Sequence, residues 1–296
     1  MLGSAANVEL PGRENNAAGD ADPSGGRLGA SPRTILLAED NVVNQRVATG
    51  LLEKRGHVVV VAHNGREATQ AVATQRFDLV LMDVQMPEMD GIEATRVIRR
   101  EEAARNEYTP IVAMTAHAMK GDRERCLEAG MDDYLTKPIQ VKELLMAIDR
   151  LTTSRSITPA TAPAALVPSQ QLAPLRTLVD GVEPVDLATL LTRVENDWDL
   201  LHEMIELFLD SSPQLLAEIE AGLARQDCQS VERTAHALKG AMQSISAVPA
   251  AQAAATLEAF AKTRAPGEAD RSLIALKIEF ERLVSKLSDL SIGARS

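Results

Sequence analysis

Glu39-Asp40, Asp83, Thr115 and Lys137 each close, or closely follow, a short apolar run: Ile35–Ala38, Leu79–Met82, Pro110–Met114 and Tyr134-Leu135. Such runs read as strands buried on both faces. In an open parallel sheet the crevice above the strand tips is where ligands bind. A single strand-end acid is more often a solvated helix cap; four such ends on one edge point to a site. Three carboxylates at close range repel unless a hard cation joins them, and Mg²⁺ accepts a few oxygens while keeping several waters. Asp83 is then an acceptable nucleophile toward a phosphoryl donor. Lys137 and the Thr115 hydroxyl would meet the charge on the transferring oxygens. No histidine stands at a strand tip, so acid–base hydrolysis fits less well.

A second candidate lies far along the chain. Helix 228–245 has an apolar stripe of Val231, Ala235, Leu238, Met242 and Ile245. At about 100° per residue His236 falls roughly 150° from its middle, which predicts an exposed imidazole. Lys239, Gly240 and Gln243 follow at three, four and seven and share its face. A glycine inside a helix costs about 1 kcal/mol relative to alanine, which makes sense where a partner must dock. Lys239 would put positive charge beside a phosphoryl group on His236.

The elements that must hold these residues follow from the pattern. Residues 1–32 lack aromatics and read as a flexible N-terminal segment. Over 33–151, strands at 35–38, 58–61, 79–82, 110–114 and 134–135 alternate with helices at 41–55, 64–75, 91–105, 119–129 and 141–151. That alternation predicts an α/β doubly wound five-stranded parallel sheet. Residues 152–185 contain Pro159, Pro163, Pro168, Pro174 and Pro184 and read as a Pro/Ala-rich linker with an r.m.s. span of roughly 30–35 Å. From 186 to 288 the apolar spacing is all helical (186–193, 198–222, 228–245, 250–263, 269–288), an all-α helical bundle; 289–296 is left as a C-terminal tail. Helix 41–55 carries Val42, Val43, Val47, Leu51 and Leu52, more than one buried stripe needs. Docking between two acidic domains should therefore rest on that apolar contact.

Composition excludes several classes. A net charge of −11 and a pI near 5.0 argue against direct nucleic-acid binding. Cys126 and Cys228 fit no metal-ligand spacing and suit a reducing compartment. The longest aliphatic run, Val58–Ala62, is too short to span a membrane, and the N-terminus lacks signal-peptide order. The expected location is cytoplasmic, free or as the cytoplasmic part of a membrane-bound kinase system. There is no nucleotide-binding glycine motif, so whether the chain is itself an enzyme is left open.

Residues 33–151 resemble a response-regulator receiver domain, which has a flavodoxin-like fold. The resemblance rests on Glu39-Asp40, Met82-Asp83-Val84-Gln85-Met86-Pro87-Glu88-Met89-Asp90-Gly91, Thr115-Ala116 and Tyr134-Leu135-Thr136-Lys137-Pro138. It implies that Asp83 is phosphorylated and that Asp40, Asp83 and the Gln85 carbonyl bind Mg²⁺, with Glu39 acting through water. It also implies a cis Lys137–Pro138 bond and a reporting role for Thr115 and Tyr134. Residues 186–288 resemble a histidine-phosphotransfer domain through Ala235-His236-Ala237-Leu238-Lys239-Gly240. That family often has glycine at the positions of Gln243 and Ser246, so the cleft at His236 should be more crowded here.

Together the resemblances imply a two-component phosphorelay, as in the C-terminal part of hybrid sensor histidine kinases. The group would pass from an upstream histidine kinase domain to Asp83, then to His236, then to a downstream response regulator receiver. The alternatives are reverse flow into a phosphate sink, a helical scaffold with an idle His236, and an aspartyl phosphohydrolase. The last usually places Asp-x-Asp after its first strand, whereas Glu39 and Asp40 are adjacent. His117, two residues past Thr115, is a candidate modulator of hydrolysis.

Overall fold

A computed structural model describes residues 31–116, 120–153, 183–263 and 269–293. His117, nearly all of the N-terminal segment and most of the linker lie outside these residues. The first half is a five-stranded, wholly parallel sheet of order β2-β1-β3-β4-β5. Its strands are β1 (Thr34–Ala38), β2 (Val58–Ala62), β3 (Leu79–Asp83), β4 (Ile111–Thr115) and β5 (Asp133–Thr136). Between them run α1 (Val42–Glu53), α2 (Gly65–Thr74), α3 (Gly91–Arg105) and α4 (Lys120–Ala129), and α5 (Val141–Thr153) follows β5.

The period of two along each strand divides the core. Leu36, Ala38, Val80, Met82, Ile111 and Ala113 pack on α2, α3 and α4. Ile35, Leu37, Leu79, Leu81, Val112 and Met114 face α1 and α5. Strands buried on both sides must be continuously apolar, which is why the first polar residue of each marks its tip.

The second half is helical: α6 (Leu187–Arg193), α7 (Trp198–Ala224), α8 (Cys228–Ser244), α9 (Val248–Thr263) and α10 (Ala269–Gly293). Asp186, Asp197 and Asp227 cap α6, α7 and α8, each accepting a bond from a backbone N–H three residues on. The ends differ from the sequence expectation. Helix α10 continues through most of the expected tail, with Leu290 packed on the bundle core. Val185, expected in the linker, is buried in that core, and Thr152 belongs to α5.

Helix α1 serves both halves. Ala48 and Leu52 face the sheet, while Val43, Val47 and Leu51, spaced by four, sit in the hydrophobic core of the bundle. Val42 is in neither and stays exposed. Around this contact, Arg46 pairs with Glu203, Arg55 with Glu195, and Lys54 with Asp197 at 3.1 Å. The expectation of a purely apolar contact needs correcting: the sheet half supplies cations and the bundle acids. Net charge conceals this because it averages over surfaces far from the contact.

Gly50 lies where α1 comes close to α7. A Cβ there would stand 2.8 Å from Leu200 Cδ1 and 3.0 Å from Arg46 Nη1. Gly50→Leu should therefore push the bundle off α1. It should not weaken the sheet half, since leucine is favoured over glycine in a helix by roughly 0.8 kcal/mol. Small-angle scattering should show a larger radius of gyration with an unchanged or higher melting point for the sheet half. An unchanged radius would contradict the contact.

Candidate functional site

The strand tips bring Glu39, Asp40 and Asp83 together, with carboxylate oxygens within 4.8 Å of one another. Glu39 and Asp83 are almost wholly buried. Lys137 follows β5 at the cis Lys137–Pro138 bond, and its Nζ lies 2.6 Å from both Glu39 Oε2 and Asp83 Oδ2. The two acids hold its pKa above the ordinary value despite burial. Burial pushes the Asp83 carboxyl up to about 7; Lys137 opposes this, and Glu39 and Asp40 add to it. Asp40 rises to about 6, again through burial first and then Glu39. One lysine does not balance three acids.

That excess of acid over base fits a small hard cation. The Gln85 N–H donates to Asp83 Oδ1 at 3.2 Å, fixing the start of the loop beyond β3. Gly91 lets that loop return, since a Cβ there would meet the Asp83 carbonyl at 2.1 Å. Thr115 is buried at the β4 tip, and its carbonyl accepts from Lys137 N–H at 2.7 Å. Ala116 lines the cleft beside it. Tyr134 is half-buried, its ring under the Arg123 guanidinium at 5.6 Å.

His236 is not exposed as the helix geometry predicts. Only 16% of its side chain is accessible. Helix α9 covers one side, and the sheet half docks on the same face of α8. His236 Nδ1 lies 3.0 Å from Glu258 Oε1. Lys239 is also not a surface cation: it is buried, 2.6 Å from Glu258 Oε2 and 3.4 Å from His236 Nδ1. Lys262 adds a contact to Glu258 at 2.7 Å. Hydrogen bonds from these three hold the Glu258 carboxyl far below its usual range despite burial.

Glu258 escapes a reading of the α8 motif alone. Its signal is an acid inside the apolar stripe Ala250, Ala254, Leu257 and Ala261. Gly240 faces α1, where a Cβ would make ordinary contact with Asn44 Nδ2 at 3.5 Å, so a methyl group fits and larger side chains would displace Asn44. Gln243 and Ser246 are not among the residues that line the cleft at His236. Ser246 sits beyond the end of α8 at φ +57°, the left-handed region that favours glycine.

Asp83 and His236 both line one cleft of about 880 Å³. The sheet half contributes Asp40, Gln85 and Thr115 to its lining, and the bundle Glu258 and Lys262. With Nδ1 engaged by Glu258, Nε2 is the ring nitrogen left to react.

The response regulator receiver domain model matches residues 35–149, and the Hpt domain model matches 203–289. The chain belongs to the two-component phosphorelay proteins. It is 35% identical over 256 residues to the sensor protein GacS of Pseudomonas syringae pv. syringae, a match over 84% of this chain and 27% of that protein. It is 41% identical over 154 residues to hybrid signal transduction histidine kinase I of Dictyostelium discoideum, covering 50% and 9%. The chain thus spans about a quarter or less of these relatives. Among solved structures, the magnesium-bound receiver domain of sensor histidine kinase PA1611 from Pseudomonas aeruginosa PAO1 is 44% identical. That match covers 42% of this chain and all of that one, with a TM-score of 0.39. Among the described residues no helix is long and apolar enough to cross a membrane.

Burial lowers the pKa of His236 below 6.5; Glu258 raises it, and Lys239 and Lys137 lower it further. Folding then excludes a proton that the unfolded chain binds, so this group contributes stability that falls as pH drops through 6.5. Glu258→Gln should move the His236 titration lower still, and Lys239→Met should move it upward. The ring-nitrogen shifts of labelled histidine report both, and a rise in Glu258→Gln would contradict the pairing.

Proposed function

We propose that the receiver domain takes a phosphoryl group on Asp83 from an upstream histidine kinase domain and that the Hpt domain receives it on His236. A downstream response regulator receiver would then take it from His236. The observation that carries this reading is the shared cleft, which both Asp83 and His236 line. Asp40, Asp83 and the Gln85 carbonyl would hold Mg²⁺, Glu39 acting through water; the ion would offset charge on the phosphoryl oxygens.

Lys137 and Thr115 stand beside Asp83 as further partners for those oxygens. In the internal step Nε2 of neutral His236 attacks phosphorus, the bond from phosphorus to the Asp83 oxygen breaks, and Asp83 leaves as carboxylate. The ring keeps its Nδ1 proton and becomes cationic, and the Glu258 carboxylate 3.0 Å away offsets that charge. The same geometry serves transfer in either direction, so net flow depends on the partners. The working compartment is proposed to be the cytoplasm, a reducing one that suits a chain with only two cysteines, Cys126 and Cys228.

Asp83→Asn keeps the shape but loses the nucleophilic charge. With acetyl phosphate and Mg²⁺ as donor, this variant should carry no label at either site. The unaltered chain should carry an alkali-labile acyl phosphate and an acid-labile phosphoramidate, and His236→Gln should lose only the latter. Normal acid-labile label in Asp83→Asn would detach His236 from Asp83. A label stable to both acid and alkali would overturn the relay.

In the arrangement described, transfer should also be intramolecular. When Asp83→Asn and His236→Gln chains are mixed, transfer between them should collapse on dilution, whereas the unaltered chain keeps its rate. Equal rates at nanomolar concentration would exclude a tethered step.

A further inference from the structure

A buried seam of polar side chains crosses the contact between the two domains. Ser244, Asn44, Asn41 and Glu39 are each less than one-tenth exposed. The Ser244 hydroxyl, at the end of α8, donates to Asn44 Oδ1 in the first turn of α1. Asn44 Nδ2 donates to Glu39 Oε1 at 2.8 Å. Glu39 Oε1 also receives the Asn41 N–H at 3.3 Å, and Asn41 Nδ2 donates across the contact to the Ala237 carbonyl at 3.2 Å. The Hpt domain is therefore two hydrogen bonds away from a carboxylate of the acidic cluster.

We propose that Ser244 and Asn44 form a relay by which docking of the Hpt domain sets the Glu39 carboxylate and so tunes divalent-cation binding. Both are positioning residues. Asn44 can satisfy Ser244 and Glu39 together only with its amide turned one way. The Glu39 carboxylate, which can only accept, calls for Nδ2, and the Ser244 hydroxyl holds the amide that way by donating to Oδ1. With Oε1 held by two N–H groups, Oε2 is aimed at Lys137 and the other acids. Removing the bundle would leave the amide free to turn and the Glu39 carboxylate free to rotate. Groups behind a metal ligand that fix its orientation commonly change affinity severalfold or more.

The coupling is reciprocal. If docking tightens the cation, the cation must tighten docking by the same factor. Receiver and Hpt would then be held closest when the acidic cluster is loaded for transfer. Gly240, one turn before Ser244, borders the same device: a Cβ there would make ordinary contact with Asn44 Nδ2 at 3.5 Å, and a side chain larger than a methyl group would displace it.

The inference rests on reading the acidic cluster as a Mg²⁺ site, and the test separates the two. Mg²⁺ affinity is measured calorimetrically for the full chain, Ser244→Ala, Gly50→Leu and the double variant, with scattering to confirm separation in Gly50→Leu and Arg46→Glu added where one change is insufficient. Ser244→Ala should bind Mg²⁺ about fivefold more weakly than the unaltered chain. In the separated background the same change should have no effect. In the unaltered chain, Mg²⁺ should slow hydrogen exchange of α8 amides near Ala237, and Ser244→Ala should reduce that slowing. Equal affinity in Ser244→Ala and the unaltered chain overturns the relay, as does an equal loss in the separated background. Failure of the unaltered chain to bind Mg²⁺ at millimolar concentration would instead overturn the metal reading and the relay with it.

Discussion

The buried ammonium of Lys137 is the point on which this structure depends. It touches Glu39 and Asp83 at the same distance, and both carboxylates are nearly sealed from water. Bringing three acids to one sheet edge is costly, because each loses hydration and repels the others. The lysine offsets part of that cost. The rest appears as the raised pKa values of Asp83 and Asp40. A site left short of positive charge is suited to gaining it from outside, as a cation or as the partner charges that accompany a phosphoryl group. Strand order enforces the crowding: β1, β3, β4 and β5 stand consecutively in the sheet, so their tips share one edge.

A similar balance holds on the bundle. Glu258 is buried among three nitrogen groups, and His236 is the only one of them that can give up its charge near neutral pH. Burial keeps the ring neutral, so its free nitrogen retains a lone pair. The fixed carboxylate meets the positive charge that arises when that lone pair is used. Under the proposed relay the two sites are complementary: one has excess negative charge around the oxygen nucleophile, the other keeps a neutral nitrogen beside a preset anion.

Most of the sheet half was legible in sequence because its three central strands, β1, β3 and β4, are buried on both faces and end at or just before the first polar residue. Helix starts were legible where Asn41, Asp90, Asp186, Asp197 and Asp227 cap them. The acidic cluster could be placed because its members stand at strand tips. The surroundings of His236 could not, since a helical wheel describes one helix and its neighbours come from α9 and α1. Glu258 and Lys239 share a contact between helices separated by a turn, and neither sequence neighbourhood reveals the other. The ion pairs across α1 were hidden for a similar reason, each partner lying more than a hundred residues from the other. The end of α10 was misplaced because Leu290 earns its burial from the tertiary core rather than from its own helix pattern.

Docking through α1 has a consequence for how long the two domains can remain together. Exposed ion pairs contribute about 0–1 kcal/mol each and weaken with salt. From the sheet half the apolar part is three buried side chains on α1, with the partly buried Val141 of α5 beside them. Such a contact holds because the linker keeps the partners at high effective concentration, and it would be weak between separate chains. Under the proposed relay, a downstream receiver must reach His236 through the face that α1 covers, since helix α9 closes the other side. A contact of modest intrinsic strength, held in place by tethering, can yield to such a competitor without the chain unfolding. A larger apolar interface would make the internal step secure and close the way out.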